Sequence, residues 1–325
     1  MIFVTGGTGL LGNTVVRELI ARGHHVRVLC RRDTSRDAFS GLDVDVVEGD
    51  LSNEAVLLGA TDGCEAVIHS AAMIHIGWTK LATARAVNVV GTQSIVDACL
   101  HHRAKLIYVS TVDTLFAALD KQHPISESSI TGIAKTACNY VISKTEAEQL
   151  VRSAIAQRGL DAVIIHPGFM LGPYDWKPSS GRMMIEVNRA PIVAAPSGGC
   201  SLCDARDVAA AIVNAITMGE SGQNYILAGD NLTYQEMWTE MLQTTGRQRR
   251  VRRLGGIAKI AGTLIDAAVR LLPIGEGDVN GAAISMGSLN HYYDSSKAAT
   301  ALHYHRRPRA ETLTDAWQWL SQLPG

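Results

Sequence analysis

The amino-acid sequence predicts an α/β fold with a doubly wound parallel sheet and a smaller C-terminal lobe. Two observations lead to this prediction. Short apolar runs alternate with segments of helical length through the first half of the 325-residue chain, and a glycine-rich turn directly follows the first run. Strands that are separated by helices need crossover connections, and within one sheet these join parallel strands with a right-handed turn.

Six apolar runs have the length and character of strands, and helical segments separate them. The two longest helices are expected at about residues 79–102 and 134–158. The strands are predicted at residues 1–5, 25–30, 43–48, 65–70, 104–110 and 160–166.

The regular alternation ends after Pro167, where glycine and proline become frequent. Clusters of these residues mark turns and loops, so the architecture is expected to change here. We therefore predict a first domain over 1–166, to which 204–228 returns. The remaining residues, 167–203 and 229–325, are expected to form a smaller substrate-binding lobe.

Composition excludes several classes of protein. Hydrophobic residues make up 46% of the chain, which is enough for a packed core and argues against disorder. The formal net charge is −1, so nucleic acid is not expected as a partner. Apolar stretches long enough to span a membrane are absent, and the chain opens directly on a strand without a signal peptide. A cytoplasmic location is therefore predicted.

No metal site is predicted. The six cysteines are scattered through apolar segments and are expected to be reduced core residues. Cys200 and Cys203 form a single CxxC without the second pair that a zinc site needs. His303 and His305 would share one face of a strand, but they have no third ligand.

Five arginines occur within residues 247–253. A segment with apolar residues at helical spacing follows over 257–272. One interpretation is a surface for membranes or anionic ligands. The interpretation that we favour is a solvated strand beside an amphipathic helix that packs on the core.

The first chemical motif is the turn after the first strand, which reads Thr-Gly-Gly-Thr-Gly-Leu-Leu-Gly. Gly6 can form the tight turn, Gly9 lets the backbone approach a pyrophosphate, and Gly12 permits close packing of helix and strand. The following helix directs free N–H groups at the phosphates. The turn therefore predicts a dinucleotide site, with these contact residues: Gly6, Thr8, Gly9, Leu10, Leu11 and Gly12.

The end of the second strand bears on the choice of cofactor. It reads Cys-Arg-Arg-Asp, so Arg31 or Arg32 is placed for the 2′-phosphate of NADP, although NAD stays possible. Later strand ends add further expected cofactor contacts, for the adenine and beside the dinucleotide: Asp50, Leu51, Ser70, Ala71 and Ala72.

The second motif is Tyr140-Val-Ile-Ser-Lys144 on the helix after the fifth strand. Residues four apart lie on one face of a helix. The fifth strand ends at Thr111, whose hydroxyl can point at the carboxyl edge of the sheet, where doubly wound folds bind ligands. The sequence thus predicts that two hydroxyls and an amine converge on one cofactor edge.

These motifs, together with VNVVGT at 87–92 and HPGFMLGP at 166–173, resemble the extended short-chain dehydrogenase/reductase superfamily. Within it, the chain looks like the dihydroflavonol-reductase-like and NAD-dependent epimerase/dehydratase group, which implies a Rossmann-type fold. The resemblance implies that Thr111 polarises a carbonyl, that Tyr140 is the acid/base and that Lys144 holds the nicotinamide ribose. It also implies a homodimer that pairs through the two long helices. The residues expected to line the nicotinamide are Pro167, Gly168 and Met170.

The residue types suit this chemistry. A free tyrosine has a pKa of about 10. A nearby ammonium group and a positive nicotinamide ring would favour the phenolate, so Tyr140 can exchange a proton with a carbonyl oxygen. Thr111 would donate a hydrogen bond to the same oxygen as negative charge develops there.

Departures from the wider family narrow the substrate. Dehydratases of the superfamily carry Thr-Asp-Glu at this threonine, whereas this chain continues with Val112 and Asp113. Residues 199–202 lack the arginine that many sugar-nucleotide epimerases have at this place. Several apolar residues fall in segments expected to line the pocket, although core packing is an alternative for each: Met73, Ile74, Phe169, Met170, Trp176, Met183 and Met184.

The sequence therefore predicts an NADP-dependent oxidoreductase. It would transfer hydride between nicotinamide and a carbonyl or secondary alcohol of a small apolar or aromatic substrate. One alternative is an NAD-dependent sugar epimerase. Another is a regulatory protein that senses the dinucleotide without turnover.

Overall fold

The computed structural model describes residues 1–254 and 280–323. Within these ranges the main element is a parallel sheet of seven strands in the order β10-β6-β5-β4-β1-β2-β3. The order reverses between β1 and β4, as in a doubly wound fold. The strands are β1 (Ile2–Thr5), β2 (Val26–Cys30), β3 (Asp45–Glu48), β4 (Ala66–His69), β5 (Lys105–Val109), β6 (Ala162–Pro167) and β10 (Asn224–Leu227).

Helices cover both faces of this sheet, because its strands are apolar on both sides. The flanking helices are α1 (Leu10–Ala21), α2 (Glu54–Thr61), α3 (Leu81–Arg85), α4 (Gly91–His102), α5 (Asn139–Arg158) and α7 (Ala205–Met218). One core cluster joins the sheet to α1 and α7 and includes Val16 and Ile212. A second cluster joins the other face to α2, α4 and α5 and includes Leu57, Ile95 and Val151.

The long helix expected at 79–102 is interrupted by a π-helical turn over Ala86–Val90, which connects α3 to α4. Such turns concentrate at functional sites. Here the π turn carries Asn88, whose amide bonds the backbone N–H and carbonyl of Met73 and the hydroxyl of Ser143. Asn88 therefore ties the loop after β4 to α5.

The second long helix begins at Asn139, five residues later than the predicted start at 134. The difference has a tertiary cause. Lys135 lies in an irregular segment and is drawn towards the C-terminal part of the chain, where its ammonium group contacts His291 and Tyr293 at 2.6 Å each. The helix ends at Gly159, which adopts the left-handed conformation at φ 69°.

A second, smaller layer is built around β9. Strand β11 pairs with it antiparallel, and β7 and β13 pair with it parallel, while β8 and β12 form a separate pair. The strands are β7 (Phe169–Leu171), β8 (Val193–Ala195), β9 (Gly199–Asp204), β11 (Asp230–Thr233), β12 (Val251–Arg253) and β13 (Asn290–His291). The helices are α6 (Ser180–Arg189), α8 (Tyr234–Thr244), α9 (Gly281–Gly287), α10 (Ser296–Ala301) and α11 (Arg309–Leu320).

The connections between the two layers bear on the predicted domains. After β9, helix α7 packs against α1, and β10 pairs with β6 at the edge of the main sheet. The assignment of 204–228 to the first domain and of 229–325 to the second stays a prediction, part of which lies outside the described residues.

The cysteines pack inside the protein, and two arginines of the run at 247–253 bond backbone carbonyls. All six cysteines are free and buried. Cys200 packs in the core of the smaller layer and Cys203 in the core of the main sheet, so the two face opposite sides of β9. Within the arginine run, Arg249 donates to backbone carbonyls of residues 188 and 190, and Arg253 to that of Ser197. The apolar segment at 257–272 lies outside the described residues.

Within residues 1–254 and 280–323, no helix is both long enough and apolar enough to cross a membrane.

Candidate active site

The glycine turn between β1 and α1 has the geometry of a phosphate cradle. Gly6 has φ +77°, and a Cβ there would lie 2.7 Å from the backbone nitrogen of Ala71. A Cβ on Gly12 would lie 2.1 Å from the carbonyl oxygen of Gly6. A Cβ on Gly9 would meet only that oxygen, at 3.5 Å, so the space in front of Gly9 is open.

Helix α1 begins at this opening. Its N-cap is Gly9, no side chain of the described residues caps it, and its first turn carries no acidic residue. The free N–H groups and the positive end of the helix dipole therefore face the open space. Leu10 and Leu11 are buried below the turn, and Thr8 lies at its rim, half-buried. A cradle that a Cβ would fill, at an uncapped helix start, fits a dinucleotide pyrophosphate.

Several arginine side chains lie near the end of β2. Arg31 is mostly exposed and lies 3.7 Å from Asp33, whereas Arg32 pairs with Glu48 at 2.8 Å. Arg36 also contacts Glu48, at 3.1 Å. Arg31 is therefore the less engaged of the two predicted arginines.

Sequence reasoning missed two further cations near this strand end. Arg36 and Lys177 both act electrostatically on the thiol of Cys30, although burial is the larger influence and raises the pKa of that thiol. Arg36 could have been noticed from its closeness in sequence to Arg31. Lys177 comes from the loop before α6, and nothing local in the sequence indicates that it lies here.

The residues that follow β3 and β4 lie at the same carboxyl edge of the main sheet as the glycine turn. Asp50 accepts hydrogen bonds from the backbone and hydroxyl of Ser52, which lower the pKa of its carboxyl group. Leu51 is largely buried against α4. The Ser70 hydroxyl donates to the carbonyl of Thr5 at 2.7 Å, so the Ser70–Ala71 backbone lies against the glycine turn, and Ala72 beside it is exposed.

Lys144 lies deep under the carboxyl edge of the sheet. Its ammonium group donates to the Tyr108 hydroxyl at 2.9 Å and to the carbonyl of Val109 at 2.8 Å. Burial lowers the pKa of Lys144 to about 7, although the charge of Glu148, one helical turn further on, opposes this fall. Close to neutral pH, Lys144 can therefore hold or release a proton.

Thr111 and Tyr140 lie close together at the edge of the sheet, where the Thr111 side chain acts on the pKa of Tyr140. Burial raises the pKa of the Tyr140 phenol, and the negative charge of Asp113 raises it further, while Thr111 acts in the opposite direction. The expectation that a cation lowers this pKa is not met within the protein itself, because the nitrogen of Lys144 is held by Tyr108 and Val109. Tyr140 is consequently a protonated phenol at neutral pH.

A buried cluster of charged and polar groups supports Thr111. The Asp113 carboxylate lies 3.5 Å from the Thr111 hydroxyl, 3.1 Å from His291 Nδ1 and 3.7 Å from Lys135 Nζ. Burial alone would raise the pKa of Asp113, but the contact with His291 and the charge of Lys135 lower it to about 2. Burial lowers the pKa of Lys135 to about 8. Asp113 is therefore an ionised acceptor beside the candidate catalytic pair and cannot act as a proton donor.

This cluster was outside the reach of sequence reasoning. The sequence places Asp113 two residues after the catalytic threonine, but its partners come from positions about 20 and 180 residues further along the chain. Only the docking of β13 beside β9 brings His291 to Asp113.

Residues after β6 reach the same edge. Gly168 is required by a close approach, since a Cβ there would lie 2.6 Å from the carbonyl oxygen of Ser201. Pro167 is buried at the end of β6, and Met170 packs half-buried against the core of the main sheet. His166 is buried and contacts Glu148 of α5 at 2.9 Å. It therefore holds α5 against β6, and we assign it no contact with a cofactor.

The apolar residues expected in the pocket divide between core and surface. Met184 is fully buried in the smaller core, where Phe169 and Met183 pack beside it, and Trp176 packs edge-on against Trp319. Met73 is half-buried, and Ile74 is 62% exposed. The Tyr140 ring itself packs against a further apolar cluster, formed by Ile76, Cys138, Val141, Ala282, Met286 and Leu289.

A family model described as the NAD-dependent epimerase/dehydratase family matches residues 2–228. The chain belongs to this family. A protein of Synechocystis sp. named "Putative dihydroflavonol 4-reductase" is 31% identical over 98% of this chain and 93% of its own length. The resemblance read from the motifs, to the extended short-chain dehydrogenase/reductases, is thereby confirmed.

Solved structures agree on the architecture. The crystal structure of gox2253 superposes with a TM-score of 0.87 at 29% identity, and covers 99% of this chain and 98% of that one. UDP-glucose 4-epimerase of Thermus thermophilus, in complex with NAD, superposes with a TM-score of 0.76 at 19% identity over 99% of both chains. The predicted α/β fold is confirmed, and the chain is an enzyme of the NAD(P)-dependent epimerase and reductase superfamily.

Proposed function

We propose that this enzyme is an NADP-dependent oxidoreductase. It would transfer hydride between nicotinamide and a carbonyl or secondary alcohol of a small apolar or aromatic substrate. The observation that carries the proposal is the placement of Thr111 and Tyr140 together at the carboxyl edge of the sheet, with Lys144 buried one helical turn beyond Tyr140.

The cofactor would be held by the glycine cradle and the strand ends around it. When bound, nicotinamide supplies the hydride acceptor or donor. Gly9 and the first turn of α1 would bind the pyrophosphate, and Lys144 the nicotinamide ribose. Pro167, Gly168 and Met170 would contact the nicotinamide, as the resemblance implies.

The protonation of Tyr140 favours the direction of reduction. A buried phenol whose pKa is raised stays protonated at neutral pH, so it can donate its proton to a carbonyl oxygen. Thr111 can donate a hydrogen bond to the same oxygen as negative charge develops. Asp113 accepts from Thr111 only at 3.5 Å, a long contact that leaves the Thr111 hydroxyl able to turn towards a substrate.

The surroundings of Tyr140 support an apolar substrate. Its ring packs in the apolar cluster described above, which includes Ile76 and Met286. Ile74, four residues after Ser70, leaves 62% of its surface exposed, so it offers an apolar side chain after the end of β4.

The preference for NADP rests on charge. Arg31, Arg36 and Lys177 surround the end of β2, where the adenine ribose of a dinucleotide lies in doubly wound folds. Among the described residues the Arg31 guanidinium pairs with Asp33, at 3.7 Å, and it can turn to a 2′-phosphate at little cost.

Steady-state turnover tests the proposal. NADPH or NADH is mixed with a panel of apolar aldehydes and ketones, and the loss of reduced-cofactor absorbance is followed. We expect continuous loss of NADPH absorbance with at least one carbonyl compound, at a higher kcat/KM than with NADH. Tyr140→Phe should keep NADPH affinity and lose turnover by about two orders of magnitude or more. Undiminished turnover by this variant would contradict the assigned role.

The same assay separates the alternatives. A sugar epimerase re-reduces its own intermediate and shows no net loss of NADPH, and a dinucleotide sensor binds the cofactor without turnover. Epimerisation would appear instead as interconversion of two sugar nucleotides with tightly retained cofactor.

Two further expectations belong to this proposal. We infer a homodimer through the helices α3 to α5, where Val90 of the π turn leaves 57% of its surface exposed. Sedimentation of the full chain at micromolar concentration would reveal twice the 34.8 kDa of one chain. A cytoplasmic location stays a prediction from the sequence.

A further inference from the structure

One buried side chain, that of Asn13 in the first turn of α1, contacts four separate parts of the molecule. Its Nδ2 donates to the carbonyl of Gly7 at 3.2 Å and to that of Ala38 at 2.8 Å. Its Oδ1 accepts from Arg17 Nε at 2.9 Å and from Trp176 Nε1 at 3.4 Å. These four bonds use both N–H donors and both lone pairs of the amide group.

The partners allow only one orientation of the Asn13 amide. The carbonyls of Gly7 and Ala38 can only accept, so they must face the NH2 group. The Nε–H of Arg17 and the Nε1–H of Trp176 can only donate, so they must face the oxygen. Rotation of the amide by half a turn would set acceptors against an acceptor and donors against donors. The side chain is therefore a rigid connection between its neighbours.

Two of these neighbours belong to different parts of the candidate cofactor site. Gly7 lies in the glycine turn, which would hold the pyrophosphate. Ala38 lies in residues 31–39, which follow β2 and carry the arginines described above; these residues are called the β2 loop. The ring of Phe39 also packs on the turn, since a Cβ on Gly7 would lie 3.2 Å from it. The β2 loop is therefore held against the turn by one apolar contact and by the Asn13 amide.

The fourth partner comes from the segment between β7 and α6, which the smaller layer holds in place. Trp176 packs edge-on against Trp319 of α11 at 4.9 Å, and Tyr174 does so at 5.1 Å. The Tyr174 ring also lies 4.0 Å from the guanidinium of Arg17. Tyr174 adopts the left-handed conformation, at φ 72°, which is costly for a residue other than glycine. The contacts with Trp319 and Arg17 hold the segment against α1 despite this cost.

We propose that Asn13 is a positioning residue for the cofactor, which fixes the β2 loop relative to the glycine turn, and that Trp176 holds the Asn13 amide from the smaller layer. The proposal rests on the proposed function, in which the turn binds the pyrophosphate and the β2 loop the 2′-phosphate. A cofactor that contacts both parts binds best when their separation is already fixed, because the loop then need not be ordered on binding. The buried Asn13 side chain itself touches neither phosphate.

The central variant is Asn13→Leu, which has nearly the same shape and removes all four hydrogen bonds. Its matched control is Asn214→Leu. Asn214 lies on α7, where its amide donates to the carbonyl of Leu302 at 2.7 Å and accepts from Arg22 at 2.6 Å. The control therefore removes the same kinds of bond, to a backbone carbonyl and to an arginine, at the end of α1 that is remote from the glycine turn.

The first readout is the ratio of the dissociation constants of NADH and NADPH, measured by isothermal titration. This ratio reports what the 2′-phosphate adds to affinity, and a variant that only lowers stability leaves it unchanged. For Asn13→Leu we expect the ratio to fall about fivefold, as for the loss of one buried hydrogen bond between loop and turn. Asn214→Leu should keep the wild-type ratio.

Hydrogen exchange tests the position of the β2 loop without any cofactor. Within the loop, the backbone N–H groups of Thr34 and Phe39 donate to carbonyls three residues before them. In free Asn13→Leu, peptides that cover the loop should exchange their amide hydrogens faster than in wild type and in Asn214→Leu, because the loop has lost its bond to α1.

Trp176→Phe isolates the contribution of the smaller layer. It removes the indole N–H and keeps a ring against Trp319. We expect the dissociation constant of NADPH to rise about twofold. Added to Asn13→Leu, the same substitution should cause no further rise, because the oxygen that the indole binds is already absent. Equal effects in the two backgrounds would overturn the role given to Trp176.

The outcomes separate this proposal from the proposed function. A wild type that binds neither dinucleotide overturns both. A wild type that binds NADPH but reduces no carbonyl compound contradicts the proposed reaction, while the binding tests of Asn13 still apply. If the wild type binds NADH as tightly as NADPH, the proposed preference is wrong, and a loss of NADH affinity in Asn13→Leu beyond that in Asn214→Leu then decides the positioning role.

An unchanged ratio in folded Asn13→Leu would overturn the proposal, and so would unchanged hydrogen exchange of the β2 loop or an equal fall of the ratio in Asn214→Leu. If Asn13→Leu does not fold, the smaller Asn13→Ser, which keeps one hydroxyl donor, should show the same two effects. Their absence in that variant would equally overturn the positioning role.

Discussion

The carboxylate of Glu148 offers a direct test of how the candidate active site is supported. Its Oε2 accepts from Ser110 at 2.6 Å, Thr114 at 2.8 Å and His166 at 2.9 Å, while Oε1 accepts from Arg152 at 2.9 Å. The first three donors lie inside the protein, and Arg152 lies at its surface. Oε2 therefore accepts hydrogen bonds inside the protein, whereas Oε1 pairs with a surface arginine. Two substitutions can measure these two contributions to stability separately.

Glu148→Gln keeps an acceptor for the donors inside the protein. Its amide oxygen can face the three inner donors and its NH2 group the surface, so the variant loses the charge and the bond to Arg152. We expect a loss of about 1–2 kcal/mol. Glu148→Leu leaves the buried donors of Ser110 and His166 without an acceptor, whereas the Thr114 hydroxyl can still donate to the carbonyl of Thr111 at 2.9 Å. Each unpaired donor costs about 1–3 kcal/mol, so the loss should be about 2–6 kcal/mol.

Equilibrium unfolding in urea measures both variants, with the midpoint and slope compared at constant pH. The reasoning is refuted if Glu148→Leu and Glu148→Gln differ by less than about 1 kcal/mol, because the inner donors would then be satisfied without the carboxylate.

The pH dependence supplies an internal check. Burial would raise the pKa of Glu148, but the bonds from His166 and Ser110 and the charge of Arg152 outweigh burial and hold it well below the usual range. A lowered pKa means that the carboxylate stabilises the fold above its unfolded-state pKa of about 4.3, and that this contribution is lost as the pH falls. The stability difference between wild type and Glu148→Gln should therefore shrink below about pH 4.

Three further predictions follow from the site. Gly9→Ala should leave the melting temperature nearly unchanged and raise the NADPH dissociation constant at least about tenfold, whereas Gly12→Ala, whose Cβ meets a carbonyl oxygen at 2.1 Å, should also destabilise the protein in thermal unfolding. Arg31→Ala should weaken NADPH about tenfold and NADH little, by isothermal titration, and equal effects on both would speak against a phosphate contact. Asp113→Asn should lower the pKa of Tyr140, seen as phenolate absorbance at lower pH than in wild type, and no shift would contradict the electrostatic role of Asp113.

The parts of this molecule that the sequence predicted are those encoded by neighbouring residues. Strand and helix alternation is a local pattern, and the glycine turn joins one strand to the next helix. The predicted contact between Thr111 and Tyr140 followed from the rule that doubly wound sheets gather function at one edge. The family resemblance then supplied roles for these residues.

What the sequence did not predict depends on contacts across long separations. Lys135 was expected inside a helix, but its side chain contacts His291 and the helix begins only at Asn139. Burial raises the pKa of Tyr140, and the charge of Asp113 raises it further. Asp113 in turn contacts His291, which is about 180 residues away in the chain. Motif spacing contains no information about such partners, since helix propensity and a local pattern are overridden by tertiary contacts.

The carboxylates of Asp113 and Glu148 act in the same direction on the pKa values of Tyr140 and Lys144. Asp113 raises the pKa of the Tyr140 phenol, and Glu148 opposes the fall that burial causes in the pKa of Lys144. Each therefore favours the form that carries the proton. A pair held in this state at neutral pH is prepared to give a proton to a carbonyl oxygen, whereas alcohol oxidation needs the phenolate. Because Lys144 titrates at about 7, the ammonium form that completes this state is lost as the pH rises through that value. For the proposed function, these charges predict that proton donation to a carbonyl oxygen is supported at and below neutral pH.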